Sequence, residues 1–346
     1  MARIVLGVGC SHTPLLTLSS EHWQHRAEAD YANHALNMSD GRLLRYDEVL
    51  AEQGPRCAAQ ISPEVLKIKE DSCNAALDYL ADVLWAARPD IVVIIGDDQR
   101  ELFNSANQPA IAIFHGAQIV TYRKFAPDES ARWRNDMARG YLMDDQHIIL
   151  GAPSFSEKLI EGLVSEDFDV AACDRVENPD TAGFGHAYGF IVKRLFRGRS
   201  IPVVPVLLNT YYGPNVPSAA RCWSFGQAIR RTIESIPDRL QVALIASGGL
   251  SHFVVDEDLD HKILGAMAHG DTEILTSIPR TALKSGSSEI LNWIALAGAM
   301  SPLQMLWHAY HPLYRTPAGT GVGAAFAVWT KESDTPTPVP AGDARH

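Results

Sequence analysis

Ile91-Val92-Val93-Ile94-Ile95-Gly96-Asp97-Asp98-Gln99 is the stretch that decides the fold. Five β-branched apolar residues in a row, closed by glycine and acids, read as a strand buried on both faces. Such a strand belongs in a parallel sheet, because a half-solvated antiparallel strand would alternate. Two further runs have the same form: Ile4-Val5-Leu6-Gly7-Val8-Gly9-Cys10-Ser11-His12, and Val242-Ala243-Leu244-Ile245-Ala246-Ser247-Gly248-Gly249-Leu250-Ser251-His252. Each ends on side chains that can ligate a metal or move a proton. Ligands of open α/β sheets bind in the crevice beyond the carboxyl ends of the strands. Two histidines and the Asp97-Asp98-Gln99 group are therefore expected to converge on one pocket.

Working outward, Pro63 opens a helix in which Val65, Ile68, Cys73, Ala76, Leu77, Leu80, Val83 and Leu84 recur at helical spacing. Further strands are expected at 110–115, 201–211 and 321–329, with an extended stretch at 167–173. Helices are expected at 156–164, 218–236, from about Asp256 onward, and at 288–300. This alternation predicts an α/β fold: one large domain over 1–330 with a mostly parallel central sheet flanked by helices. Residues 17–62, which include His22, Trp23, His25 and Tyr31, read as an insertion over the sheet edge that can act as a lid. The Pro/Thr/Asp-rich stretch 331–346 reads as a disordered tail.

Composition narrows the function classes. A formal charge of −11 disfavours nucleic acid or an anionic membrane as partner, since both need a basic footprint. No apolar stretch nears the roughly 20 residues that span a bilayer, and the N-terminal apolar run reads as a strand, not a signal peptide. Five scattered cysteines without a C-x-x-C fit a reducing, cytoplasmic setting. Cys10 reads as a small buried hydrophobe.

Familiar catalytic motifs fail on single residues. Phe253 stands where the nucleophile elbow G-x-S-x-G needs its last glycine. His261 stands where an EF-hand loop starting at Asp256 needs glycine, and His12 where a dinucleotide fingerprint needs its third. A mononuclear metal site remains, with His12 as leading ligand. Glu289, in the first turn of a helix announced by Ser285-Gly286-Ser287-Ser288, reads on spacing alone as a capping carboxylate.

The motifs Gly9-Cys10-Ser11-His12-Thr13-Pro14, Gly248-Gly249-Leu250-Ser251-His252, and Ser285-Gly286-Ser287 to Glu289 followed by Trp293, taken in order, resemble the class III extradiol ring-cleavage dioxygenases. The resemblance is to the LigB-like branch, which includes protocatechuate 4,5-dioxygenase catalytic subunits and the gallate and 3-O-methylgallate dioxygenases. It implies a non-haem Fe(II) enzyme with two histidines and one carboxylate as ligands, cleaving a carboxylated or methoxylated catechol with O2. His12 and Glu289 fall on two of the ligands. His252 falls on the acid/base histidine, and His186 on a second histidine of the substrate pocket. Gln99 stands where the family's other histidine ligand belongs, so Gln99, Asp98 or His115 is left to complete the site. A redox-inert metal hydrolase or lyase, or a non-catalytic metal-binding member, is the alternative. Asn209 and Tyr211 fall on a pocket-lining segment, with Arg100, Arg221 or Lys124 as counter-charges for a ring carboxylate. The resemblance further implies a homodimer, or a small helical partner subunit closing the pocket.

Overall fold

Nine strands make up the central sheet of the computed structural model, which describes residues 1–125, 127–128 and 130–330. The tail expected at 331–346 lies outside the described residues. In chain order the strands are β1 (Arg3–Cys10), β2 (Ile91–Asp97), β3 (Ile111–Phe114), β4 (Ala171–Cys173), β5 (Val203–Leu208), β6 (Gln241–Ser247), β7 (His252–Val254), β8 (Met305–Tyr314) and β9 (Thr320–Trp329). Their spatial order is β7-β9-β1-β6-β2-β5-β3-β4, with β8 also paired to β9. The central strands β1, β6, β2 and β5 are mutually parallel, as expected. Antiparallel β9 joins β1 on one side, and antiparallel β3 joins β5 on the other.

The helices of ten or more residues are α1 (Pro63–Ala87), α2 (Pro153–Ser165), α3 (His186–Leu195), α4 (Ala219–Ser235), α5 (Glu257–His269) and α6 (Ile290–Met300). They sandwich the sheet, and the β2 run shows why it has no polar alternation. Val92 and Ile94 pack with α1 and α3, while Val93 and Ile95 pack with α2, α4 and α6. All seven β2 residues are buried, and each such Val or Ile stabilises the fold by roughly 1.5–3 kcal/mol. Ser62 caps α1 by accepting the Val65 N–H, with Pro63 in the first turn, where its missing N–H costs nothing.

Residues 17–62 are tied down firmly. Their short helices Ala27–Tyr31 and Tyr46–Gln53 accompany a two-stranded ribbon, Leu36–Asn37 with Leu43–Leu44. The Trp23 indole donates to the Leu15 and Leu18 carbonyls, and buried Asp30 accepts a two-pronged bond from Arg315 at 2.8 and 3.0 Å. Strand β8 and the helix Arg132–Gly140 are elements that the sequence pattern did not announce.

Candidate metal centre and pocket

The carboxyl ends of β1, β6, β2 and β5 share one edge of the sheet, and the loops leaving them build one pocket. His12 follows β1, Asp97 closes β2, Tyr211 follows β5, and the Ser247–His252 turn follows β6. The N-terminus of α3 brings His186, and the turn Ser285–Glu289 before α6 brings Glu289. Glycines let these loops close on one another. A Cβ at Gly249 would stand 2.4 Å from the His252 ring, and one at Gly286 would stand 2.5 Å from the His252 Cβ.

His12, Asp97, His186 and Glu289 each offer a ligand atom, and those atoms all lie within 4.8 Å of one another. His12 Nδ1 lies 2.8 Å from the Ser247 hydroxyl, whose own hydrogen goes to the Ala187 carbonyl at 2.7 Å. Ser247 can therefore only accept, so Nδ1 carries the hydrogen and Nε2 presents a lone pair. That Nε2 is buried 3.3 Å from Glu289 Oε2 and has no hydrogen-bond partner among the described residues; Asp97 Oδ1 is likewise buried and unpartnered among them. A bare imidazole nitrogen facing carboxylates, with its far side fixed by hydrogen bonding, is what a divalent ion requires. The donor set fits such an ion.

His186 is held the same way. Its Nδ1 lies 2.9 Å from Glu101, which Lys124 meets from the other side at 3.2 Å. Burial works against a charged His186, yet the Glu101 carboxylate outweighs it and pushes the imidazole up to about 9. Burial likewise raises Glu101, but His186 and Lys124 hold it down at about 2. Glu289 is pushed up by burial and pulled further down by His12 and His252. It also accepts the Gly249 N–H at 2.6 Å.

His252 faces this group from across the pocket, its Nε2 4.0 Å from Glu289 Oε2. Its Nδ1 lies 2.8 Å from the Leu250 carbonyl, which can only accept, so Nδ1 carries the hydrogen. Burial lowers the pKa of His252, favouring the neutral ring with a free Nε2. Ser287 locks the backbone, accepting the His252 N–H and donating to the His252 carbonyl. The result is a fixed imidazole base.

The cavity between these groups holds about 260 Å3 and is walled by Pro14, Phe125, Met137, Met143, Tyr141 and Phe253. Roughly 300–1,000 Å3 suits drug-sized ligands, so this pocket is of single-ring size. Tyr141 donates to the His12 carbonyl at 2.6 Å and stands edge-on to the His186 ring. Arg26, Lys124 and Arg315 also reach the cavity.

The structure brings His12, Glu289, His252, His186, Gln99 and Tyr211 to this pocket. Gln99 sits at the edge of the ligand group, where its amide Nε2 donates to Asp97 Oδ2 at 3.1 Å and lies 3.4 Å from Glu289 Oε1. Five of the expected residues stand elsewhere. Asp98 points away: its carboxylate caps the next turn by accepting the N–H groups of Glu101, Leu102 and Phe103. Its neighbour Asp97 takes the inward position. His115 follows β3, which runs antiparallel to β5, so it emerges at the opposite end of the sheet, 3.8 Å from Glu157. Arg100 stacks on the Tyr212 ring and Arg221 on Phe168, outside the cavity lining. Asn209 acts on the backbone, donating to the Tyr212 and Asn215 carbonyls, and holds the loop that carries Tyr211.

Glu101, Tyr141, Arg26 and Arg315 are site residues that the sequence pattern did not single out, and Asp97 was expected at the pocket only as part of the Asp97-Asp98-Gln99 group. Asp97 alone had a signal, because it is the last residue of the decisive strand. Glu101 lies just past Gln99, and Tyr141, Arg26 and Arg315 arrive from distant segments with no motif around them.

The family model described as "Catalytic LigB subunit of aromatic ring-opening dioxygenase" matches residues 54–326. A gallate dioxygenase of Pseudomonas putida is 30% identical over 200 residues, 55% of this chain and 56% of that protein. A 2,3-dihydroxyphenylpropionate/2,3-dihydroxicinnamic acid 1,2-dioxygenase of Comamonas testosteroni is 25% identical over 164 residues, 47% of this chain and 43% of that protein. The chain thus spans about half the length of the curated relatives it matches.

Proposed function

The chain belongs to the family of catalytic LigB subunits of aromatic ring-opening dioxygenases, and on that premise we propose that it cleaves an aromatic vicinal diol with O2, by extradiol chemistry, at a mononuclear Fe(II) site. The single observation that carries this reading is the unpartnered Nε2 of His12, facing Glu289 while neutral His252 looks on from 4.0 Å. His12 and Glu289 would hold the ion, with Asp97 the nearest further donor, His186 able to join only by giving up its second N–H proton, and Gln99 at the rim. When bound, the metal supplies Lewis acidity and an electronic path between diol and O2.

The remaining work falls to side chains. His252 Nε2 accepts a phenolic proton and returns it to the departing oxygen, while the Leu250 carbonyl holds its other nitrogen in the required tautomer. Phe125, Phe253, Met137 and Met143 pack the ring and exclude water. Substrates proposed are carboxylated or methoxylated catechols such as gallate, 3-O-methylgallate or protocatechuate; the curated relatives are named for acids of this kind. A homodimer is the proposed assembly, supported by residues 17–62 already reaching the pocket through Arg26. No helix among the described residues is long and apolar enough to cross a membrane, which agrees with the proposed cytoplasmic location.

Anaerobic reconstitution with Fe(II), followed by oxygen-electrode traces on a panel of catechols, tests the reading. Uptake with vicinal diols alone is expected. Silence with every diol contradicts it. A second reading, a redox-inert metal hydrolase or a non-catalytic metal binder, is favoured by Gln99 and by the second carboxylate, Asp97, in the ligand group. Protein that retains stoichiometric zinc and shows no iron-dependent uptake would match that alternative.

A further inference from the structure

Besides His186, two arginines and one lysine reach the cavity, and they are not equivalent. Lys124 is paired with Glu101 at 3.2 Å, which in turn is committed to His186. Arg315 is paired with Asp30 at 2.8 Å, and Asp30 also accepts the Thr320 hydroxyl. Arg26, at the end of the turn Ser20–Arg26, has no carboxylate within ion-pair distance among the described residues, and its Nε is buried without a hydrogen-bond partner. Arg26 stands near the Asp30–Arg315 pair without joining it, and its charge acts on both partners. Of these three, Arg26 is the one without a carboxylate partner among the described residues.

A partly buried guanidinium without a partner is costly unless something supplies the counter-charge. A guanidinium also presents a planar fork of donors that matches a carboxylate in two places at once. We propose that Arg26 sets substrate choice by pairing with an anionic substituent, a carboxylate on the ring or on a short side chain, of a diol seated at His12, Glu289 and His252. This deepens the ring-opening reading and rests on it. It moves the counter-charge role from Arg100 and Arg221, which lie outside the cavity lining, to a residue of the 17–62 segment.

The test compares two probes of similar shape and the same diol, 3,4-dihydroxybenzoate and 3,4-dihydroxybenzamide, in which an NH2 donor replaces one carboxylate oxygen and the negative charge is lost. Anaerobic titration calorimetry on the iron-reconstituted protein gives the ratio of their affinities for the wild type, Arg26→Gln and Arg26→Lys. The wild type is expected to prefer the acid by roughly 10- to 100-fold. Arg26→Gln should bring the ratio close to one through loss of acid affinity, and Arg26→Lys should restore part of it. A ratio that survives Arg26→Gln overturns the assignment, and so does a parallel fall for both probes. Oxygen-electrode traces on the same batches keep the two readings apart. A charge preference that depends on Arg26 without any oxygen uptake upholds Arg26 and strikes the ring-opening reading alone.

Discussion

At the level of single residues, the chemistry of the site depends on which nitrogen of each histidine carries its hydrogen. Ser247 settles this for His12 because its hydroxyl is already committed to the Ala187 carbonyl. Ser247→Ala should release the ring and weaken Fe(II) binding by roughly 10- to 100-fold, read by competition with a chelator; unchanged affinity would show that the contact does not matter. His252→Asn should lower kcat by about 10²- to 10⁴-fold while anaerobic binding of the diol survives. Equal loss of binding and turnover would instead make His252 a part of the binding wall. His12, His252 and Glu289 were legible because each closes a recognisable motif. Asp97 was not, because choosing it over Asp98 needs the direction of each side chain, and only the capped turn at 101–103 reveals that. Glu101 was hidden because its partner His186 is 85 residues away.

At the scale of the element, the close approach of β1 to α6 fixes where His12 and Glu289 stand. A Cβ on Gly9 would lie 2.1 Å from the buried Trp293 ring, whose indole donates to the Gly248 carbonyl at 2.7 Å. Gly9→Ala should therefore cost about 1–3 kcal/mol of stability and loosen the metal site together with the Gly248–Gly249 turn, measured by denaturant unfolding and metal titration. A variant as stable as the parent would contradict this packing. The parallel strands and long helices were readable, since Val92-Val93-Ile94-Ile95 bury both faces and α1 keeps a helical period. Strand β8 was not. Its run Trp307-His308-Ala309-Tyr310-His311-Pro312 mixes polar and aromatic residues on a partly exposed strand at the sheet margin. The small elements of residues 17–62 lack any period, because long-range ties such as Asp30–Arg315 hold them in place.

At the scale of the whole molecule, Asp260 joins three distant segments. Its carboxyl accepts the Ser251 N–H and hydroxyl and the Tyr310 hydroxyl, linking α5, the turn before His252, and β8. Burial pushes it up to about 7 from an ordinary value of 3.8. Between those two pH values the folded chain keeps a proton that the unfolded chain has released, so this contribution is full below 3.8 and is lost as pH rises through 7. Across that interval the loss approaches roughly 4 kcal/mol as an upper bound. Asp260→Asn should flatten the fall in stability over this window, and a slope equal to the parent's would contradict it. The central claim concerns one ion. Crystals grown anaerobically with Fe(II), measured at the iron absorption edge, test it most directly. One anomalous peak is expected, bonded to His12 Nε2 and a Glu289 oxygen, with His252 facing it unbound. A peak elsewhere, or none beside His12, would contradict it.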